Sequence, residues 1–190
     1  CIRDRSNITN YKLTTTQLEE IILFWICAAG KNGTTAARLL NNLIIDIEAD
    51  RLGIFNALRL YTTPDAIALE LKAHGIGCYT HKARTIFELI NTDLDLKTCT
   101  AEDLELIYGI GMKTSRCFLI HSRENVQYAG LDTHMLKNLR ENGIEGVPKT
   151  TPSSKKLYRR LELEVLRLSK EAGLSPAEYD LRVWNTYAVK

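Results

Sequence analysis

The sequence predicts an all-α protein. Signals for the start and the end of helices follow one another along the 190 residues, and no segment shows the alternating pattern of a strand. The connections between the predicted helices are short, which favours a packed helical domain. Because 45% of the residues are apolar, the chain can bury a sizeable core, and we expect one domain or two closely joined lobes.

The helices of the first half are delimited by capping residues, glycines and a proline. Residues 16–19, Thr-Gln-Leu-Glu, have the pattern of a capping box, and the buried helix that they begin is expected to end at Gly30. Pro64 opens a later helix that is expected to end at Gly75. Helices are also predicted over residues 35–50, 52–61 and 81–91.

A short helix that leads into a glycine turn is the most informative local feature. Thr100 is its predicted N-cap, with Asp103 in the capping-box position. Its apolar face consists of Leu104, Ile107 and Tyr108. The helix must end at the glycine that follows this face.

The turn itself is formed by Gly109, Ile110 and Gly111. The two glycines let the backbone turn sharply, through positive φ where needed, while Ile110 points into the core. A second helix is predicted from Met112, and its first N–H groups lie at the positive end of the helix dipole, where a phosphate binds well. We interpret residues 104–121 as a helix-hairpin-helix that binds a nucleic-acid backbone without reading its sequence, although a tight turn in any helical protein can use the same residues.

Lys113 lies in the first turn of this second helix, beside the phosphate-binding end. The helix dipole disfavours a positive charge there, which makes the neutral amine more available as a nucleophile. The alternative is a solvated lysine that contacts a phosphate, and the position alone favours neither role.

Asp132 is predicted to cap the helix over residues 132–141. A fixed anion beside an opened sugar is also what an oxocarbenium-like transition state requires. Spacing does not decide between capping and catalysis, and the two roles are compatible. His134, two residues further on, is placed to touch a phosphate, but a surface histidine fits the position equally well.

Two more helices complete the chain. They are predicted over residues 154–172 and from Ser175, an N-cap that is followed by Pro176 at the first helical position. A basic cluster near the start of the first of them consists of Lys155, Lys156, Arg159 and Arg160. We interpret this cluster as a solvated face, and the net charge of +2 is weak evidence for a polyanionic partner.

Three segments resemble the helix-hairpin-helix (HhH-GPD) DNA glycosylase superfamily. They are residues 106–115 (Leu-Ile-Tyr-Gly-Ile-Gly-Met-Lys-Thr-Ser), 131–135 (Leu-Asp-Thr-His-Met) and 75–83 (Gly-Ile-Gly-Cys-Tyr-Thr-His-Lys-Ala). The resemblance covers most of the chain from about Gln17. It is nearest to the compact archaeal-type 8-oxoguanine DNA glycosylases, whose C-terminal segment is similar to residues 174–190.

The resemblance implies a single two-lobed glycosylase unit over residues 1–190. One lobe would combine approximately residues 1–33 and 126–190, and the other would comprise approximately residues 34–125 with the hairpin. The DNA-binding cleft would lie between them.

The resemblance also implies the chemistry. The lysine at the position of Lys113 attacks C1′ of the damaged nucleotide, and the aspartate at the position of Asp132 assists base departure and stabilises the positive charge. The lysine implies the bifunctional type, which forms a Schiff base with the sugar and cuts the strand by β-elimination. The residues expected at the DNA backbone are Gly109, Gly111, Met112 and His134, and those expected in the base pocket are Cys117, Trp184 and Lys190.

The base-pocket residues have simpler alternatives. Cys117, one helical turn after Lys113, corresponds to a cysteine that packs against the flipped base in eukaryotic 8-oxoguanine glycosylases, but free cysteines usually fill space in a core. Trp184 stacks on a base or packs the last helix, and we favour packing. The segment after Trp184 is shorter than in the archaeal-type enzymes, in some of which the terminal residue takes the role expected of Lys190.

The cysteines restrict cofactors and compartment. The five cysteines, at positions 1, 27, 78, 99 and 117, are too widely spaced for a zinc or disulfide pattern. Only Cys117 follows the hairpin, which excludes the C-terminal iron-sulfur cluster of endonuclease III-like members, so we expect no metal and no cofactor. Free thiols and the lack of a long apolar run predict a cytoplasmic or nucleoid protein, nuclear in a eukaryote, and the start at Cys1 indicates a missing initial segment.

Together these observations predict a bifunctional base-excision repair glycosylase and AP lyase that acts as a monomer on double-stranded DNA containing 8-oxoguanine. One alternative is a glycosylase for damaged or mismatched pyrimidines. The other is a non-catalytic helix-hairpin-helix module, which binds DNA in a salt-sensitive way and forms no product.

Overall fold

The computed structural model of the protein describes residues 8–30 and 32–188, and within these ranges the chain forms helices and no strand. The helices are α1 (Thr15–Ala28), α2 (Gly33–Asp46), α3 (Ala49–Leu52), α4 (Ile54–Arg59), α5 (Pro64–Ala73), α6 (Tyr79–Asn91), α7 (Ala101–Glu105), α8 (Met112–Ser122), α9 (Thr133–Glu141), α10 (Lys155–Glu171) and α11 (Pro176–Ala188). The predicted all-α class is confirmed.

The chain divides into two compact units, Cys1–Gly111 and Met112–Lys190. Unit 1 thus contains α1 to α7 and the hairpin glycines, and unit 2 begins with α8. The two-lobe division at approximately residues 33 and 125, which the resemblance implies, stays a prediction.

Helix α1 begins two residues earlier than the sequence predicts. Its capping box joins Thr14 and Gln17: the Thr14 side chain accepts the Gln17 N–H, and the Gln17 side chain accepts the Thr14 N–H. The predicted box over residues 16–19 was therefore wrong. Glu19 instead accepts the N–H of Phe55 at 3.1 Å, in the first turn of α4. Because its carboxylate binds Phe55, Glu19 takes no part in the cap of α1.

The helix predicted over residues 35–50 is divided into α2 and α3. Asn32 caps α2, and its side chain accepts the N–H groups of Thr34 and Thr35. The break lies at Glu48, which takes a left-handed conformation (φ +51°) that no helix interior tolerates. Gly53 (φ +82°) then ends α3 and leads into α4.

The other predicted caps are confirmed. Thr100 (with Asp103) and Asp132 cap α7 and α9 as predicted, and Ser154, the first residue of the helix predicted over residues 154–172, caps α10. Pro64 is the first residue of α5, and the pair Ser175 and Glu178 forms side-chain hydrogen bonds at the start of α11. These caps were predictable because both partners lie within four residues of each other.

Unit 1 is organised around α1, which is buried on almost every side, and around α6. Helix α6 packs against α1, α4 and α5. Lys82 of α6 is 5% exposed and donates to the carbonyl of Cys27 at 2.8 Å, near the end of α1. Burial raises the pKa of the Cys27 thiol to about 12, and Lys82 opposes this rise. The lysine therefore ties α6 to α1, and the thiol remains protonated.

Unit 2 has its own core. Helix α11 packs against α8, α9 and α10. The central buried side chains come from α9, α10, α11 and the segment before α9, and they are Ala129, Leu131, Met135, Leu136, Leu139, Tyr158, Leu161, Val165, Tyr179 and Val183. Two of these, Ala129 and Leu131, immediately precede Asp132, so the predicted catalytic aspartate follows directly from the core.

Candidate active site and nucleic-acid interface

The hairpin is anchored in unit 1 by three apolar side chains. Leu104, Ile107 and Ile110 are each 3% exposed or less. Ile110 thus points into the core as predicted. Tyr108 does not belong to this buried face, because its ring is only partly covered and lies beside His81 and Arg84 of α6.

The two hairpin glycines are required for different reasons. Gly109 has φ +80°, and a Cβ atom at this position would lie 2.1 Å from Oγ1 of Thr85. Both the backbone conformation and the close approach of α6 therefore demand glycine there. Gly111 has neither a positive φ nor a neighbour within 4 Å of a Cβ position. Only the first glycine is fixed by the geometry, and the DNA-backbone roles of both stay predictions.

Helix α6 also holds the backbone just before the turn. The carboxylate of Glu88 accepts the N–H of Tyr108 at 2.9 Å, and Thr85 lies against Gly109. Because these two residues are one turn apart or less on α6, one face of that helix supports the whole approach to the hairpin.

Lys113 stands where α8 passes from solvent into the core. Met112 and Lys113 are partly exposed, whereas every residue from Thr114 to Ser122 is buried. Lys113 therefore lies at the boundary between the partly exposed and the buried part of α8. Its nucleophilic role stays a prediction.

A buried ion pair fixes the first turn of α8. Arg116 is fully buried, and its Nε donates to Glu162 of α10 at 2.9 Å. Its Nη1 donates to the carbonyl of Met112 at 3.2 Å and to the hydroxyl of Ser115 at 3.1 Å. The guanidinium thus holds the turn that carries Lys113.

The same ion pair reaches the segment that leads to Asp132. Glu162 accepts the N–H of Ala129 at 3.0 Å. The hydroxyl of Tyr158, one turn earlier on α10, donates to the carbonyl of Ala129 at 2.9 Å and accepts the N–H of Leu131 at 3.1 Å. Burial, more than any other cause, raises the pKa of Tyr158 well above its ordinary value, so its hydroxyl remains a donor.

Cys117 and Gly130 bring these two parts of the site into contact. A Cβ atom on Gly130 would lie 2.2 Å from the sulfur of Cys117, so the backbone of this segment touches the face of α8 that carries Lys113 one turn earlier. The thiol is 0% exposed. Its predicted place in the base pocket stays a prediction.

Asp132 is a cap, as one of its two predicted roles requires. Its carboxylate accepts the N–H of Met135 at 2.8 Å, and its own N–H donates to the carbonyl of Gly130 at 3.0 Å. The side chain is partly exposed. The capping bond fixes the carboxylate in place, and its catalytic role stays a prediction.

Tyr187 was missed by the sequence reasoning. Its ring stacks on that of His134, with the centroids 6.0 Å apart and the planes 5° from parallel. His134 is thus partly buried and stacked on an aromatic ring, and its contact with a phosphate stays a prediction. Trp184 lies on α11 and is partly exposed, and Lys190 lies outside the described residues.

Arg116, Tyr158 and Glu162 were also missed. One signal in the sequence points to Glu162. Residues 158, 161, 162 and 165 share one face of α10, and Glu162 is the charged residue on this otherwise apolar face. A carboxylate on a buried face requires a buried cation, and Arg116 is the partner that the structure provides.

The described residues offer neither a metal site nor a membrane-spanning helix. Across 8–30 and 32–188, no group of three or more histidine, cysteine, aspartate or glutamate side chains is arranged to hold a metal ion. Over the same ranges, no helix has the length and the apolar character that crossing a membrane requires.

No protein-family model matches the chain. Solved structures do. The 8-oxoguanine glycosylase/lyase of Methanocaldococcus jannaschii, in complex with a 15mer DNA that contains 8-oxoguanine, superposes with a TM-score of 0.70 at 21% identity, over 94% of this chain and 84% of that chain. The 8-oxoguanine DNA glycosylase of Thermotoga maritima superposes with a TM-score of 0.70 at 22% identity, over 93% of this chain and 82% of that chain.

The chain has the fold of these glycosylases. A second structure of the Methanocaldococcus jannaschii enzyme, described as an 8-oxoguanine DNA glycosylase, agrees over 100% of this chain and 85% of that chain, with a TM-score of 0.69. The glycosylase fold implied by the three resembling segments is thereby confirmed, and those segments account for the hairpin, the lysine position and the capping aspartate within it.

Proposed function

We propose that this protein is a bifunctional DNA glycosylase and AP lyase that removes 8-oxoguanine from double-stranded DNA. The observation that carries the proposal is the contact between Cys117 and Gly130. It joins the helix face of Lys113 to the segment that ends in Asp132, which gives one site an amine and a fixed carboxylate. The fold shared with the 8-oxoguanine glycosylases supports the same function.

In the proposed mechanism, the damaged nucleotide leaves the base stack, because no side chain reaches C1′ inside a duplex. The first N–H groups of α8 hold a backbone phosphate beside it. The amine of Lys113 forms a bond to C1′ while the bond from C1′ to the base breaks, and the base leaves with the electron pair. The carboxylate of Asp132 stabilises the positive charge that develops on the sugar.

The second half of the reaction cuts the strand. The nitrogen of Lys113 then loses a proton, which neutralises the departed base. Its lone pair forms the C1′=N bond of the Schiff base while the bond from C1′ to O4′ breaks, and O4′ takes a proton from water to become a hydroxyl. Removal of a C2′ proton then expels the 3′ phosphate, and water releases the enzyme from the sugar. The buried pair of Arg116 and Glu162 acts through position only, since it fixes the turn that carries the amine.

The proposal includes partner and compartment. We expect a monomer that acts on duplex DNA and therefore a place in the compartment that holds the chromosome. Analytical ultracentrifugation of the protein with and without a duplex measures the stoichiometry, and a ratio of one protein to one duplex is the expected result.

Strand cutting on a panel of duplexes tests the function. The panel contains 8-oxoguanine, thymine glycol, uracil, an abasic site and undamaged DNA. We expect cutting at 8-oxoguanine and at the abasic site, loss of both in Lys113→Gln, and full activity in Lys170→Gln, which alters an exposed lysine in the last turn of α10.

The other outcomes separate the alternatives. Cutting at thymine glycol with none at 8-oxoguanine would show that the substrate is a damaged pyrimidine and not 8-oxoguanine. Tight binding of every duplex without any product would favour the non-catalytic module. If the wild type and Lys113→Gln release the base equally and neither cuts the strand, the Schiff-base mechanism is wrong and the glycosylase activity stands.

A further inference from the structure

Tyr108 presents an aromatic surface beside the hairpin that the proposed chemistry does not use. The guanidinium of Arg84 lies 3.8 Å from the centre of the Tyr108 ring. The ring of His81 is nearly parallel to the same ring, with the centroids 6.2 Å apart, and its Nδ1 is 2.8 Å from the tyrosine hydroxyl. Both α6 side chains are exposed. We call these three residues the Tyr108 platform, and Tyr108 itself directly precedes Gly109.

The hydrogen-bonding groups of Arg84 are not used by the protein. Within the part of the chain that the structure describes, Arg84 forms no hydrogen bond and no ion pair, and its contact is with the aromatic ring. Arg59 shows the opposite arrangement, since its guanidinium donates to the carbonyl of Ile90 and to the side chain of Asn56. Arg59 is a structural arginine, whereas Arg84 keeps five donors for a ligand.

The neighbouring carboxylate does not neutralise Arg84. Glu88, one turn further along α6, uses its side chain to accept the N–H of Tyr108 at 2.9 Å. It thus fixes the platform instead of pairing with the arginine. An exposed guanidinium that is stacked on an aromatic ring loses little freedom on binding an anion, because the stacking has already oriented it.

We propose that the Tyr108 platform binds a second phosphate of the DNA backbone, next to the phosphate held at the hairpin. Arg84 makes the contact with two of its N–H groups, and Tyr108 and His81 hold it in place. Because Tyr108 directly precedes Gly109 in the chain, we expect the two phosphates to be near neighbours along the DNA. This inference rests on the proposed function, because it takes duplex DNA as the partner.

The salt dependence of binding to a duplex with an uncleavable abasic analogue tests the proposal. Each phosphate contact adds about 0.9 to the slope of log Kd against log salt. We expect Arg84→Ala to lower that slope by about 0.9, so that its deficit in affinity shrinks about 3-fold between roughly 50 and 200 mM KCl.

Three further variants make the test specific. Arg51→Ala, which removes an exposed arginine from α3, should leave the slope and the affinity unchanged. Arg84→Lys should keep the slope, because the charge remains, but weaken binding. Tyr108→Leu should weaken binding with the slope nearly unchanged, because it removes the orientation and keeps the guanidinium.

The outcomes are distinguishable from those of the strand-cutting panel. If the wild type binds and cuts 8-oxoguanine DNA while Arg84→Ala shows the wild-type slope, the platform proposal is overturned and the proposed function stands. If binding depends on Arg84 but no duplex is cut, the proposed function fails and the platform stands. A wild type that binds no duplex would overturn both.

Discussion

The two sides of the hairpin are supported in different ways. In unit 1, side chains of α6 hold the approach to Gly109 through single contacts, such as the hydrogen bond from the Tyr108 N–H to the partly exposed Glu88, and His81 and Arg84 of the same helix are exposed. In unit 2, the turn that carries Lys113 rests on a fully buried ion pair between Arg116 and Glu162. The unit 1 side leaves exposed side chains available to a ligand, whereas the buried ion pair of unit 2 fixes the turn of Lys113 and the segment before Asp132, the two residues that we propose react.

The buried ion pair of Arg116 and Glu162 should also contribute more to the free energy of unfolding than the exposed contacts of α6. A buried polar network is strong only when every member has its partner, so removing one member leaves the others unsatisfied. Exposed contacts are weakened by solvent, and their loss costs little. The following substitutions test this comparison, beginning with the largest expected effect.

Glu162→Gln should destabilise unit 2 most. The change keeps the shape of the side chain but leaves the buried Arg116 without a counter-charge, which costs about 3–5 kcal/mol of unfolding free energy. Urea unfolding measures the loss. Glu164→Gln, on the exposed side of the same helix, is the matched control and should change stability by less than about 1 kcal/mol. Equal effects of the two substitutions would contradict the comparison.

Tyr158→Phe should cause the next largest loss of stability. It removes a buried hydroxyl that bonds Ala129 and Leu131, and leaves an N–H and a carbonyl unsatisfied at a cost of about 2–3 kcal/mol. Hydrogen exchange should show faster exchange at the Leu131 amide than in the wild type. Unchanged protection there, with a lower melting temperature, would mean that the tyrosine supports the core without fixing the segment before Asp132.

Gly130→Ala should cost about 2 kcal/mol, because its Cβ atom would overlap the sulfur of Cys117. Gly130 does not have a positive φ, so the overlap is the whole defect. Base release should fall as well, since the segment must move away from α8. Adding Cys117→Ala removes the sulfur and should restore stability and base release together. A double variant that stays inactive would argue against the contact as the link between Lys113 and Asp132.

Gly109→Ala should lower stability by about 2 kcal/mol, as much as Gly130→Ala, because φ is +80° and the Thr85 hydroxyl must rotate away. Thr85→Ala in the same chain relieves the overlap but not the backbone strain, so the rescue should be partial. DNA binding should weaken in Gly109→Ala, as measured by anisotropy with a labelled duplex. Complete rescue by Thr85→Ala would show that the left-handed conformation is not what requires glycine.

Local signals were enough to predict most helix boundaries and the turn. Thr100 with Asp103, Asp132 and Ser154 cap their helices within four residues, and such pairs are visible in a sequence. The failures came from long-range partners. Glu19 left its predicted capping box for the first turn of α4, 36 residues away, and the left-handed Glu48 divided a helix that periodicity alone predicts as continuous.

The candidate site was only partly predictable for the same reason. Motifs led to the predictions for Lys113 and Asp132, but they did not point to the polar residues that hold the two segments. Glu162 lies 33 residues from the N–H that it accepts and 46 residues from Arg116, and no local pattern joins them. Tyr108 was assigned to an apolar face, and its role beside Arg84 depends on how α6 packs.

Borohydride trapping followed by peptide mapping tests the central claim most directly. The protein is incubated with an 8-oxoguanine duplex and sodium borohydride, the covalent complex is digested, and mass spectrometry locates the sugar adduct. The account predicts an adduct on Lys113, with trapping abolished in Lys113→Gln and retained in Lys170→Gln. An adduct on any other residue, or strand cutting by the wild type without any trapped complex, would contradict it.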